Sequence, residues 1–121
     1  MSAPIAYLPF KENCTIDPRK LTEYLLDESR RGDPGSKVGL IRDVLGFSHP
    51  AELQWALLAH ARLNPCIVFE RRADRVLYSV TGPLSGPRGH VDNLIAAWQL
   101  PDGGETPQLV TVLLGPRPST T

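Results

Sequence analysis

A proline near the middle of the chain separates two stretches that differ in hydrophobic periodicity. Before Asn64-Pro65, apolar residues recur three and four positions apart, which is the spacing of one face of a helix. After it, short runs rich in β-branched and aromatic residues alternate with glycine, proline and polar turns, which is typical of strands joined by hairpins. Because the residue before a proline disfavours the helical conformation, the two stretches cannot share one helix. The sequence therefore predicts an α+β fold in which the helices precede the sheet.

The first half of the chain predicts three helices, at about residues 18–28, 36–46 and 50–63. Asp17, followed directly by a proline, is typical of a helix start, and Gly46 is typical of a residue just beyond a helix end. The third helix is apolar on both of its sides. This pattern predicts that it is buried around most of its circumference.

The second half predicts four strands, at residues 66–70, 76–81, 91–100 and 109–114. Together the elements describe about three N-terminal helices packed on one face of a four-stranded, mainly antiparallel sheet. The third of these segments also contains two adjacent alanines that suit a helix, so the residues alone leave it open between strand and helix. Residues 82–89 hold three glycines and two prolines and are predicted to form a loop.

Size and composition indicate one domain. The chain has 121 residues, of which 41% are hydrophobic, and a formal net charge of zero. These values suit a packed core and exclude a disordered chain or a strongly basic nucleic-acid coat. We predict a single domain over residues 1–121, with an ordered core at about 5–115 and flexible ends.

We predict the cellular compartment from two patterns that the sequence lacks. The N-terminus lacks the pattern of a secretory leader, and no apolar run approaches the length of a membrane span. A cytoplasmic protein without membrane contact is therefore expected. In that compartment Cys14 and Cys66 are expected to be reduced thiols.

The zero net charge conceals two basic segments. Residues 30–42 and residues 62–90 each carry a net charge of +3. If the two segments meet in space, they would present a basic surface suited to a phosphate backbone. The alternative is a solvated loop and a solvated hairpin tip with no shared role.

Two places along the chain are candidates for chemistry. His90 follows the 82–89 loop, which also carries Arg88, and an imidazole there could act as a general acid or base near neutral pH. Ser36 and Lys37 stand at the predicted start of the second helix, where free N–H groups attract anions. The alternatives are a histidine exposed at a loop edge, a rigid turn, and an ordinary helix cap beside a surface lysine.

The other histidines are given structural roles. His49 is placed to help cap the third helix, and His60 lies on the apolar stripe of that helix. No two histidines have the spacing of metal ligands, and neither a phosphate-binding nor a dinucleotide-binding glycine motif is present. The sequence therefore predicts no metal site and no cofactor.

Six motifs follow one another between residues 19 and 111: Lys-Leu-Thr-Glu-Tyr-Leu-Leu at 20–26, Gly35-Ser36-Lys37, Leu45-Gly46-Phe47, the 82–89 loop, Trp98 and Pro-Gln-Leu-Val-Thr at 107–111. In this order they resemble an uncharacterised family of bacterial domains of unknown function. The layout of that family looks like the barnase, EndoU, colicin and RelE group of ribonucleases, which supplies toxin domains of bacterial conflict systems. The resemblance favours a strand at 91–100.

This resemblance implies a metal-independent endoribonuclease that cleaves RNA by attack of the 2′-hydroxyl on the adjacent phosphate. Its partners would be RNA and a cognate inhibitor, an immunity or antitoxin protein. By resemblance, the phosphate would be stabilised by Lys37 and Arg88, His90 would transfer protons, and Thr111 would donate a hydrogen bond. Substrate would also contact Ser36, Arg31 and Gly86.

A second hypothesis is a non-enzymatic interaction module, either immunity- or antitoxin-like or a phage-associated binding domain. In that case Lys37 and the 82–89 loop have structural roles only. The two hypotheses differ in geometry, because an enzyme requires Lys37, Arg88, His90 and Thr111 to converge on one cleft. The sequence does not indicate an oligomeric state.

Overall fold

The computed structural model describes residues 6–116. Its helical part contains two 3-10 turns, Lys11–Asn13 and Glu28–Arg30, a short helix α1, two π-helical segments, π1 and π2, and a long helix α2. Their bounds are Pro18–Lys20 for α1, Leu21–Leu25 for π1, Gly39–Val44 for π2 and Pro50–Leu63 for α2. None of the helices in this range is long and apolar enough to cross a membrane.

Four antiparallel strands follow, in the spatial order β1-β2-β3-β4. Their bounds are Cys66–Arg71 for β1, Arg75–Ser85 for β2, His90–Pro101 for β3 and Gln108–Leu114 for β4. Each strand pairs with the next one in the chain. The predicted α+β class and four-stranded sheet are confirmed, and residues 91–100 form a strand.

The predicted loop at 82–89 is shorter than expected, because β2 continues to Ser85. The register of β2 against β3 shifts between Gly82 and Leu84, so Pro83 stands in an irregularity of the ladder. Proline is tolerated at such a place because its missing N–H is not needed for pairing. The true loop is the four-residue turn Gly86–Gly89.

The helix starts were predicted better than the helix ends. Asp17 caps α1 by accepting a hydrogen bond from the Arg19 N–H at 3.0 Å, and α2 has the predicted bounds. The first helical stretch ends at Leu25 rather than near residue 28, because Asp27 caps a separate 3-10 turn by accepting from the Ser29 N–H. The predicted flexible ends lie almost wholly outside the described residues.

The helical layer covers one face of the sheet, and Trp98 fills the centre of the interface. Its side chain is fully buried, together with Leu25, Ile41 and Leu57 from three different helical segments. Ala96, two residues before Trp98 in β3, faces the same core. Small and large residues therefore alternate along the strand beneath the helices, which leaves room for the indole ring.

His60 ties α2 to the sheet. Its Nε2 lies 3.2 Å from the Gly82 carbonyl oxygen and 3.1 Å from the Leu94 carbonyl oxygen. Both neighbours are acceptors, so Nε2 must carry the proton and donate. The Nδ1 atom is buried and has no partner in the described part of the chain. Burial lowers the pKa of His60, because a second ring proton there would be desolvated and unpaired.

Two expectations for α2 are wrong. His49 makes no side-chain cap hydrogen bond. Helix α2 is also not buried around most of its circumference, since Trp55 is 75% exposed and Leu63 is 74% exposed. Only its side carrying Leu53, Leu57 and His60 faces the sheet, and within residues 6–116 no second layer covers the outer side.

Replacing Trp98 by alanine is expected to lower the free energy of unfolding by about 3–5 kcal/mol, because a large cavity opens at the centre of the core. Chemical denaturation measures this change. Trp55→Ala is the control, since that indole is largely in water. A loss below about 1 kcal/mol for Trp98→Ala would contradict the assigned packing.

Stability is expected to fall as the pH drops below about 6.5, because unfolded His60 takes up a proton there while the folded state resists it. The contribution is fully present above that pH and declines towards the lower folded pKa. His60→Leu should flatten the pH dependence of the unfolding midpoint between pH 7.5 and 5, whereas the exposed control His49→Gln should not. An unchanged profile in His60→Leu would show that another group titrates.

Candidate functional site

The Gly86–Gly89 turn packs against the C-terminal end of π2. The Arg88 N–H donates to the Leu45 carbonyl at 3.0 Å, and the Gly86 N–H closes the turn on the Gly89 carbonyl at 2.8 Å. Gly46 has a φ of +84°, and a Cβ there would lie 2.5 Å from the Arg88 Cβ. The backbones approach so closely that a side chain cannot fit. The close packing of the turn against π2 is enough to explain why glycine occupies positions 86 and 89.

Two of the predicted site residues, Arg31 and Arg88, act on the carboxylate of Asp43. Arg31 binds the carboxylates of Asp43 and Glu28 at distances of 2.6 and 2.8 Å. The hydrogen bonds from Arg31 hold the pKa of Asp43 below its usual value, and the charge of Arg88 adds to this effect. Arg31 is therefore committed to two carboxylates, whereas Arg88 is exposed and forms no ion pair within the described residues.

His90 stands beside the same turn and has an acidic neighbour. Its Nε2 lies 2.6 Å from the Asp92 Oδ1, and both side chains are exposed. A histidine paired with a carboxylate, two residues from an arginine, can exchange protons next to a bound anion. The predicted site residues Arg88 and His90 therefore form, together with Asp92, which was not predicted, a group with that capacity.

Lys37 and Thr111 lie away from the turn. Lys37 lies two residues before π2, whereas Arg88 contacts Leu45 directly after its end, so the backbones of the two residues meet opposite ends of that segment. Thr111 pairs with Ala97, seven residues from His90 along β3, which corresponds to about 23 Å. The structure therefore does not gather the four predicted catalytic residues in one cleft.

Thr111 also faces the other side of the sheet. Its neighbour Val112 pairs with Ala96, and both of these are buried in the core beneath the helices. Successive strand residues point to opposite faces, so Thr111 and Ala97 face away from the helical layer. Ser36 uses its hydroxyl locally, since its Oγ accepts from the Val38 N–H at 3.3 Å.

Local carboxylates neutralise most of the two predicted basic segments. Ion pairs occupy the side chains of Arg30, Arg31, Arg42, Arg72 and Arg75. In the part of the chain that the structure describes, the cations of these segments without an ion pair are Lys37, Arg62, Arg71 and Arg88. They are dispersed over the start of π2, the end of α2, the end of β1 and the β2–β3 turn. The net charge of residues 30–42 thus overstates the capacity of that segment to bind a phosphate backbone, whereas residues 62–90 keep three cations that have no ion pair among the described residues and lie on different elements.

The β1 edge carries a group of exposed apolar side chains that sequence reasoning missed. Ile67, Val68 and Phe69 are 67%, 40% and 54% exposed, and Tyr7 lies beside them. We call these four residues the β1 edge surface. A strand at the edge of an antiparallel sheet ordinarily alternates apolar and polar residues, so the unbroken run Cys-Ile-Val-Phe was the available signal.

A groove runs beside this surface, between β1 and the segment that precedes the first 3-10 turn. Its volume is about 530 Å³, and its walls are mostly apolar. They include Tyr7, Pro9, Pro65, Val68 and Tyr78. Because the segment lies directly against the strand edge, backbone and side-chain recognition can occur at the same place.

The two cysteines are free, as predicted. Burial raises the pKa of the Cys14 thiol to about 11 and also raises that of Cys66. Both thiols are therefore neutral near pH 7 and are poor nucleophiles. Within residues 6–116 no three His, Cys, Asp or Glu side chains are grouped so that they could hold a metal ion.

A family described as "Domain of unknown function (DUF6883)" matches residues 7–115. The chain belongs to this family. The resemblance to an uncharacterised domain family is thereby confirmed, while the description of the family names neither a toxin nor a ribonuclease. No curated protein matches the chain, and neither does any solved structure. The matched range of this DUF6883 domain includes both the β2–β3 turn and the β1 edge surface.

Gly46→Ala is expected to destabilise the domain more than Gly35→Ala. Both glycines have a positive φ, but a Cβ at Gly35 meets nothing within 4 Å, whereas one at Gly46 meets Arg88. Each alanine costs about 1 kcal/mol in backbone strain, and the clash at Gly46 adds to this. Unfolding midpoints in urea compare the two variants, and equal losses would contradict the close contact between the turn and π2.

Proposed function

We propose that this domain is a non-enzymatic interaction module that binds a partner protein at the β1 edge surface. The observation that carries the proposal is the exposure of three consecutive apolar residues, Ile67, Val68 and Phe69, on an edge strand beside a groove. Exposed apolar patches with neighbouring open backbone are typical of protein interaction sites. Single exposed apolar residues are common, but a continuous run on an edge strand is a hazard that proteins ordinarily avoid.

The distribution of charge also favours a protein partner over a nucleic acid. Binding to a phosphate backbone depends on several uncompensated cations that face the same strand. Here Arg30, Arg31 and Arg42 are held by nearby carboxylates, and the free cations are dispersed. An apolar edge, by contrast, loses unfavourable contact with water when a partner covers it.

A toxin-type endoribonuclease is the second candidate, and the pairing of His90 with Asp92 favours it. The carboxylate could orient the imidazole and stabilise its charged form while it transfers a proton during attack of the 2′-hydroxyl. Arg88 could stabilise the negative charge of the phosphorane. Thr111 lies on the opposite face of the sheet, seven residues along β3 from His90, and does not join this pair.

The first test is photocrosslinking in the cells that naturally produce the protein. A photoreactive phenylalanine analogue replaces Phe69 in the test protein and Glu105 in the control, both of which are exposed. We expect a discrete heavier species from position 69 only, and we expect Ile67→Lys to abolish it. Crosslinking from both positions alike, or from neither, would contradict the interaction surface.

The second test is an RNA cleavage assay in EDTA with wild-type protein, His90→Ala and Lys37→Ala. We expect intact total bacterial RNA in all three reactions, because the predicted catalytic groups are dispersed. Discrete fragments that appear with the wild type and disappear with His90→Ala would establish the second candidate. Circular dichroism of each variant confirms that it is folded.

A further inference from the structure

The two edges of the sheet differ in how far the chain itself occupies them. At β4, the Thr15 N–H donates to the Pro107 carbonyl at 2.9 Å, and the Leu109 N–H donates to the Thr15 carbonyl at 3.2 Å. The Lys20 Nζ donates to the Val110 carbonyl at 2.6 Å. The outer side of β4 is therefore paired with the chain itself up to Val110, and within residues 6–116 no other segment pairs there with residues 111–114.

At β1 the outer edge remains open beyond its first residue. The Cys66 N–H donates outwards to the Ala6 carbonyl at 2.8 Å. Ile67 pairs with Ser79 of β2, so its backbone faces inwards. Because the direction alternates along an antiparallel strand, the N–H and C=O of Val68 face outwards, and neither has a partner within residues 6–116. One more strand could pair there.

The groove lies where the side chains of an added strand would go. Val68 and Tyr78 form its floor on the sheet, and Tyr7 and Pro9 form the opposite wall. The segment carrying Tyr7 leaves the edge directly after its hydrogen bond to Cys66. An extended segment that pairs with Val68 would thus place alternate apolar side chains into the groove.

Charge is placed at both ends of this edge. Lys11 lies 4.4 Å above the Tyr7 ring and donates to the Arg62 carbonyl, and the Arg62 guanidinium reaches the Glu12 carbonyl, so both cations lie beside the N-terminal segment that meets Cys66. Arg71 stands at the other end, only four positions from Cys66 when counted on the partner strand β2, which corresponds to about 13 Å. In the described part of the chain these three cations have no acidic partner, whereas Glu70 is paired with Arg72.

The same charges disfavour a second copy of this chain as the occupant. In a two-fold antiparallel pairing centred on Val68, Arg71 of each copy would approach the Cys66 end of the other. Lys11 and Arg62 lie at that end, so like charges would face each other twice in one interface. Like charges placed opposite one another destabilise strand pairing.

We propose that β1 takes up an extended segment of a partner protein as a fifth strand of the sheet, and that this segment is apolar at its centre and acidic at both ends. Because the irregularity between Val68 and Glu70 takes up one residue of β1, the spacing of Arg71 from Cys66 places the two acidic residues about four positions apart. The inference rests on the proposed function, which it deepens by naming the chemistry of the partner. Backbone pairing supplies affinity, and the two charged ends supply specificity.

The test is a selection of random dodecapeptides displayed on phage against the folded wild-type domain. We expect enrichment of sequences with alternating apolar residues flanked by Asp or Glu, and we then measure binding of a selected peptide by fluorescence anisotropy. Val68→Pro should abolish binding, because it removes the outward N–H without removing a bond to β2. Arg71→Glu should weaken binding about tenfold and shift a repeated selection towards a basic residue at that end.

Arg19→Glu is the control, since Arg19 is an exposed arginine whose neighbours Pro18 and Lys20 line a groove at the opposite edge of the sheet. It should leave peptide binding unchanged. Enriched peptides without acidic ends, or peptides that bind Val68→Pro as well as the wild type, would overturn the proposal. A wild-type dimer in light scattering that Val68→Pro converts to a monomer would overturn it in favour of a second copy.

The outcomes separate this inference from the proposed function. Crosslinking at position 69 together with peptides that ignore Arg71 would overturn the acidic partner and leave the interaction surface standing. Absence of both crosslinking and enrichment would overturn the two together. Since Arg71 is exposed, Arg71→Glu keeps the charge test valid even if Val68→Pro fails to fold.

Discussion

The hydrogen bonds from the His60 imidazole to the Gly82 and Leu94 carbonyls fix the position of α2 on the sheet. The donor lies on the one long helix, and the acceptors lie on the two central strands. The helix therefore covers β2 and β3, and Trp98 is sealed beneath the helical layer. Within residues 6–116 the same placement leaves the outer side of β1 beyond Cys66 uncovered, because the remaining helical segments are only three to six residues long. The exposed apolar edge follows from where this helix is held.

Two of the sequence motifs prove to be the two sides of one contact. Leu45-Gly46-Phe47 ends π2, and the Gly86–Gly89 turn packs onto it with a hydrogen bond from Arg88 to Leu45. A Cβ on Gly86 would lie 2.2 Å from the Leu45 carbonyl oxygen. Close backbone packing explains the presence of these glycines without any reference to a bound phosphate. Arg88, His90 and Asp92 remain at the surface of this contact as the residues on which a catalytic role would depend.

Local patterns predicted much of the fold, because periodicity and breaking residues act within one element. Asn64-Pro65 marked the change from helix to sheet, and Asp17 marked a helix start. Gly82-Pro83 wrongly predicted the start of a loop. Proline excludes regular pairing only where its N–H is needed, and the shift in register between Gly82 and Leu84 removes that need. The dispersal of Lys37 and Thr111, the ion pair between Arg31 and Asp43, and the exposure of Ile67 depend on which elements meet in space. No periodicity within one segment contains that information.

The irregularity in β1 between Val68 and Glu70 also limits how far an added strand can extend. Beyond Val68 the backbone no longer continues the regular ladder, and at the opposite edge the chain itself pairs with residues 107–110, at the start of β4. An open-ended stack of copies through β1 and β4 is therefore restricted by an interrupted ladder at one edge and a partly occupied ladder at the other. The domain can display an apolar strand without becoming the template of a fibre, and a segment captured at β1 would form a closed complex of fixed stoichiometry.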